Sequence, residues 1–321
     1  MTNPFIFGAK HIILILLTYI AVHFSDEYAK IDSKDLKKIK KYIIYWGEKP
    51  LSSRKNYFNI TFWKVLAMVV VLLFADAVLK YSSGLGQNNS AEKIITEFAS
   101  NNGFTLDDYP MEIREMLVQN NETKQFVTNY PKKITNYKPE KLDFSEYANC
   151  TEPPHLIQWD MRWGYMTYSG NVFGLTGSAP TCLSMVSIYV LQDTGMTPVH
   201  IAEFAKGTFF ETDPEKLLSI GARKLGMNSV EVPRNNQRMR EAVMEKGCSV
   251  ICMLKSQELS QFVVITKIDD DGNFVIKDPS SKNRSKNGYS FTDLKNNGLK
   301  RVWKYSRATD TTYTDFSASS Q

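Results

Sequence analysis

Apolar positions along the 321-residue chain fall into three regimes. Two long, almost uninterrupted runs open it, helical spacing dominates the middle, and short strand-length blocks close it. Ile60 to Leu79, "ITFWKVLAMVVVLLFADAVL", is about 20 mostly apolar residues, enough to cross a bilayer as a helix. A buried core helix rarely stays apolar all round for so long, so the run reads as a span. Lys64 near its start can snorkel, and Asp76 sits near its far end. Phe5 to Phe24 is a weaker run, interrupted by Lys10 and His11. A span, a signal-like segment and an interfacial helix all fit it, and a span is favoured; a cleaved signal peptide fits poorly, because no basic segment leads it and no small-x-small site ends it.

Beyond the spans, "YSSGLGQNNS" is a polar tether, and residues 81–152 form a tether with a helical lead-in. Within it, "YPMEIREMLVQNNETKQFVTNYP" predicts two short helices bounded by Pro110 and Pro131. A domain over residues 153–307 opens with "HLIQWDMRWGYM", then a glycine-punctuated turn and an apolar helix, "GLTGSAPTCLSM", to about Leu191. Further helices are expected in "TPVHIAEFAK", with Pro198 in its first turn, and in "TDPEKLLSIGARKLG", with Thr212 as cap and Gly226 as stop. "NNQRMREAVMEKG" continues the helical part. The strands follow: "CSVICML", "QFVVITKI", "GNFVIKD" and "KRVWKYS". Helices first and strands afterward predict an α+β domain with a C-terminal antiparallel sheet. Residues 308–321 are polar and read as a disordered tail.

Composition adds that a core is affordable, with 43% hydrophobic residues, and charge adds orientation. The formal charge of +5 is concentrated in residues 25–59, where nine Lys/Arg face five Asp/Glu. A nucleic-acid binder would carry its basic face on the folded domain, so no nucleic-acid partner is expected. A basic loop between two spans is cytoplasmic. Both termini then lie outside, giving a two-pass cell-membrane protein with residues 1–80 as anchor and an extracytoplasmic C-terminal domain. Four cysteines make no disulfide framework: Cys248 and Cys252 are four positions apart on one strand, about 13 Å between Cα atoms. Cys150 and Cys182 complete no zinc-type spacing, and neither a metal site nor a cofactor is expected. "DDDG", Asp269 to Gly272, lacks the ligand ladder of a calcium loop and reads as a hairpin turn.

Four pieces, "NETKQFVTNYP", "QWDMRWG", "GLTGSAPTCLSMV" and "QFVVITKIDDDGNFVIKDP", together resemble the bacterial bacteriocin-processing cysteine peptidases (family C thirty-nine) over roughly residues 105–306. The resemblance implies a papain-like fold and a set of positions. A glutamine that donates to the oxyanion matches Gln158, and the aspartate that orients the histidine matches Asp278, with Lys277 where an asparagine usually precedes it. The nucleophilic cysteine position holds Ser178, and the histidine position opening the strand holds Gln261. A serine needs an adjacent base, and a neutral amide cannot accept the proton. Both reacting groups are gone, so the resemblance implies a pseudoenzyme that binds a peptide or a membrane-protein partner through Gln158, Ser178 and Gln261. The alternative is an active hydrolase in which Ser178 works with a relocated base. His155, three residues before Gln158, and His200 are the histidines in the domain, since His11 and His23 belong to the first span. Cys182, one turn inside Ser178, is expected to face the core and be inert as a nucleophile. A third possibility places the function in the spans, with the domain stabilising a membrane assembly.

Overall fold

A computed structural model describes residues 90–135, 137–139, 141–255 and 262–308. Both expected spans (5–24 and 60–79), the basic loop, Gln261 and the tail beyond Ala308 lie outside the described residues. No helix among the described residues is long and apolar enough to cross a membrane. The described residues belong to one compact unit.

The unit is α+β. Its centre is a six-stranded, wholly antiparallel sheet in the order β3-β8-β4-β5-β6-β7, built from β3 (Met227–Glu231), β4 (Ser249–Leu254), β5 (Phe262–Ile268), β6 (Phe274–Lys277), β7 (Gly288–Tyr289) and β8 (Leu299–Arg307). The central strands are apolar at successive positions because both faces are covered. Ile251, Phe262, Val264, Trp303 and Tyr305 pack under helix α4 (Ser178–Leu191) and helix α5 (Pro198–Ala205). Val250, Cys252, Val263, Ile265, Ile276 and Val302 face the other way, against α6 (Asn236–Met244) and α7 (Phe291–Asn296). The period of two along each strand sends neighbours to opposite cores. Helix α4 is buried along nearly its whole length, which is why its sequence carries no polar stripe.

A third cluster belongs to the lead-in. Helices α1 (90–101), α2 (Met111–Gln119) and α3 (Lys124–Ile134) bury Ile95, Ile113, Leu117, Phe126 and Val127 against Tyr165 and Val172. Phe126 stacks on Tyr165 with ring centroids 4.3 Å apart. Its ring lies over Gly164 and Gly174, where an added Cβ would sit 2.8 and 2.6 Å from it. Only residues without a side chain permit that approach.

Four local expectations change. Pro131 does not end α3; it lies inside the helix. The proline removes the helical bond to the Val127 carbonyl; the helix is nevertheless anchored on either side of it, Tyr165 donating to Phe126 O (2.8 Å) and Tyr109 to Thr128 O (3.0 Å). The cap ahead of Pro214 is Asp213, whose carboxylate accepts the Lys216 N–H at 3.0 Å, and not Thr212. The next turns, Leu217–Gly221, are a π segment, after which Gly226 stops the run at φ +91°. Strands also interrupt the helices: β3 precedes α6, and a hairpin of β1 (Thr167–Tyr168) and β2 (Asn171–Val172) turns through Ser169 and Gly170, both at positive φ. Asp269 to Gly272 do form the β5–β6 turn, Gly272 at φ +80° and the Asp269 carboxylate accepting the Asn273 N–H at 2.7 Å. All four cysteines are free thiols.

Candidate functional site

Ser178 is the first residue of α4, and it lines a cleft of about 550 Å3. Gln158, Trp159, Tyr168, Gly174 and Ala179 line it as well. Met116, Gln119, Asn120 and Thr123 come from the lead-in, and Ser280 and Arg284 from the loop after β6. The lead-in is thus one wall of the cleft. It is tied to the opposite loop by the Asn120 side-chain amide, which donates to Ser280 O at 2.8 Å, and by Glu122. The Glu122 carboxylate accepts the Ser281 hydroxyl and the backbone N–H groups of Lys282 (3.1 Å) and Asn283 (3.2 Å). Trp159 Nε1 donates to the same Ser280 carbonyl at 2.9 Å.

Asp278 is 0% exposed and its carboxylate is fully engaged. Oδ1 accepts the backbone N–H and the hydroxyl of Ser280, both at 2.8 Å, and Oδ2 accepts Arg284 Nε at 3.0 Å. Sequence reading missed Arg284, which sits in a polar loop, "SSKNRSKNG", that resembles a solvated connection. The aspartate position therefore holds a guanidinium, six residues along its own chain. Gln261, the matching histidine position, lies outside the described residues.

Gln158 is held by its backbone N–H donating to Pro279 O at 2.8 Å. Its Nε2 donates to Gly174 O at 2.8 Å, while Oε1 is buried with no partner.

The other candidates fall elsewhere. Among the described residues no histidine lines the cleft. His200 lies at a separate hollow beside Asp143 and Glu203. His155 points its Nε2 at Asp278 O (2.9 Å), with the Ser285 hydroxyl 3.3 Å away. Burial pushes its pKa below the ordinary 6.5, Lys277 and Lys282 push it the same way, and the Asp278 carbonyl opposes them. Cys182 is fully buried, and burial beside Asp278 raises its thiol well above the ordinary value, so it stays protonated. Glu211, at the cleft edge, accepts the N–H groups of Gly207 (2.8 Å) and Ser169 (3.0 Å), which hold its pKa down and make it a poor base. No group of three or more potential metal ligands occurs among the described residues.

The His155 environment gives a pH prediction. The folded chain favours neutral imidazole, so the unfolded chain takes the proton first as pH falls. The contribution of His155 is complete above 6.5 and is lost progressively below it, toward the lower folded-state value. Thermal melts at pH 7.5 and 5 should show a drop that His155→Gln reduces. An equal drop in the variant would place the acid sensitivity in other groups.

No family model, curated protein or solved structure matches this chain.

Proposed function

We propose that the chain is a two-pass membrane protein that displays, outside the cell, a catalytically degenerate papain-like domain whose cleft holds a peptide or a partner protein. The observation that carries the reading is the state of Asp278: its buried carboxylate accepts from the Ser280 N–H and hydroxyl and from Arg284, so a guanidinium already stands at the aspartate that would orient a base. A cleft with Ser178 at a helix start, a buried glutamine amide and apolar walls from Met116, Trp159 and Leu175 has the character of a peptide groove. The six-stranded antiparallel sheet and the buried helix behind Ser178 agree with the papain-like arrangement that the sequence resembles. Among the described residues no histidine lines the cleft beside Ser178, and a serine without a base is a poor nucleophile, which favours recognition over turnover.

The test uses the full chain in detergent. A fluorophosphonate probe should leave Ser178 unlabelled, while immobilised protein retains peptides or a membrane partner that Ser178→Trp, checked for native melting, no longer retains. Restoring Ser178→Cys together with Gln261→His should yield no peptidase as long as Arg284 holds Asp278. Turnover by the unaltered protein that vanishes in Ser178→Ala would establish the hydrolase alternative instead. A Trp variant that keeps its partner at full affinity would move recognition away from the cleft.

A further inference from the structure

Among the described residues, the charged groups that line the cleft are one of each sign, Arg284 and Glu211. Each is held in place by bonds that leave part of it unused. Arg284 Nε donates to the Asp278 carboxylate and Nη2 to the Ser280 hydroxyl, which fixes the plane of the guanidinium. A guanidinium has five N–H donors, so most of them remain. Nη1 makes no bond and is not buried, in a side chain that is 25% exposed. Glu211 Oε1 accepts the Ser169 N–H at 3.0 Å, and Oε2 accepts the Gly207 N–H at 2.8 Å. Ser169 at φ +50° and Gly207 at φ +70° are both left-handed, so two tight turns converge on one carboxylate. A carboxylate has about four acceptor sites, and half of them stay open. The same N–H groups hold its pKa below the ordinary 4.5, which keeps it anionic at neutral pH. Arg284 pairs with Asp278 and not with Glu211, whose own bonds go to backbone.

We propose that the cleft selects a bipolar peptide segment, its carboxylate on Arg284 and its ammonium or guanidinium on Glu211. This rests on reading the cleft as a peptide site. The ligand carboxylate meets the donors that Asp278 and Ser280 leave over, so the buried ion pair stays intact when the cleft is filled. Both protein charges are already oriented, and a pre-organised site loses little affinity to reordering its own side chains. A segment with one charge only, or with none, covers a fixed ion without pairing it. Water is then lost from that ion with no return, and the segment is disfavoured. Each ligand charge has two sources, a chain end or a side chain.

The test separates the sources and then the partners. Full-length protein in detergent is exposed to three pools of random hexapeptides, and retained species are identified by mass spectrometry. N-acetylated carboxamides carry charge on side chains alone; a second pool frees the carboxylate, and a third frees the amine. Retained members of the first pool are expected to hold both an acidic and a basic residue. Members of the second that need only a basic residue assign the carboxylate to the chain end, and members of the third that need only an acidic one assign the cation there. The best-retained peptide is then resynthesised with its carboxylate as the amide and, separately, with its cation as a neutral isostere. Each change should weaken binding about tenfold, the range of one charge-assisted hydrogen bond. Glu211→Gln should lose the same factor and no longer sense the cation. Asp278→Asn with Arg284→Met, which removes both members of the buried pair, should no longer sense the carboxylate. Should a variant not fold, the two neutralised peptides on unaltered protein decide. Affinity held within about twofold through either neutralisation, or a Glu211→Gln protein that still senses the cation, overturns the assignment and leaves the peptide reading intact. No hexapeptide retained from any pool overturns both.

Discussion

Asp278→Ala is expected to lower the unfolding free energy by about 3–5 kcal/mol, the scale for breaking a buried ion pair from one side. The carboxylate is wholly buried, and it organises the turn that follows β6 through Ser280 and Arg284. Its backbone joins the same structure: the Asp278 N–H donates to Ser285 Oγ at 2.8 Å, and its carbonyl faces His155. Removing the carboxylate strands a guanidinium that is about a quarter exposed, so water recovers part of the loss. Arg284→Met, the converse change, leaves the buried charge with fewer partners and should cost a similar amount. The pair Asp278→Asn with Arg284→Met should recover much of it, because replacing both members of a buried pair is cheaper than removing one. Urea unfolding followed by tryptophan fluorescence reads all of these. A loss below about 1 kcal/mol for Asp278→Ala would mean that the pair behaves like a surface salt bridge.

The second large effect is expected at Phe126. Truncating a buried aromatic typically costs about 3–5 kcal/mol. Phe126→Ala empties the space between Gly164, Gly174 and Tyr165, and the lead-in loses the ring that seats it. The sheet and α4 form separate clusters, so their core is expected to persist while α2 and α3 loosen. Because Met116, Gln119, Asn120 and Thr123 are a wall of the cleft, peptide retention should fall together with lead-in order. Gly174→Ala approaches the same contact from the other side, its Cβ forced to within 2.6 Å of the ring, and should resemble Phe126→Ala. Limited proteolysis near residues 134–139 and calorimetry distinguish local from global loss. A Phe126→Ala protein with an unchanged melting temperature and a protected lead-in would show that the ring is dispensable.

How much of this was legible in sequence follows from where the determinants lie along the chain. Strands β4, β5, β6 and β8 are legible because covered faces demand apolar residues at nearly every position. β3 is not: as an edge strand it buries Met227 and Ser229 and leaves Val230 and Glu231 outside, so "MNSVE" carries little hydrophobic signal. The α4 boundary is legible because an apolar run follows a glycine-rich turn, and it places Ser178 at the helix start. Pro131 misleads because what seats α3 is tertiary: Phe126 and Val127 pack into a core shared with Tyr109 and Tyr165, residues outside the helix that also donate to its backbone. Arg284 and Glu122 escape for a related reason. "NNETK" and "SSKNRSK" each look like solvated polar segments, and only their juxtaposition in space makes one a carboxylate that caps the other.

That juxtaposition sets the order in which the protein becomes competent during its own synthesis. Asn120 and Glu122 meet Ser280 to Asn283 across separations of 159 to 161 residues. Contacts so distant along the chain form late, since the intervening loop must close before they contribute. The wall carrying Met116 to Thr123 leaves the ribosome well before the loop that anchors it exists. A nascent chain released from translation before residue 283 would have no completed groove, however well its early helices had formed.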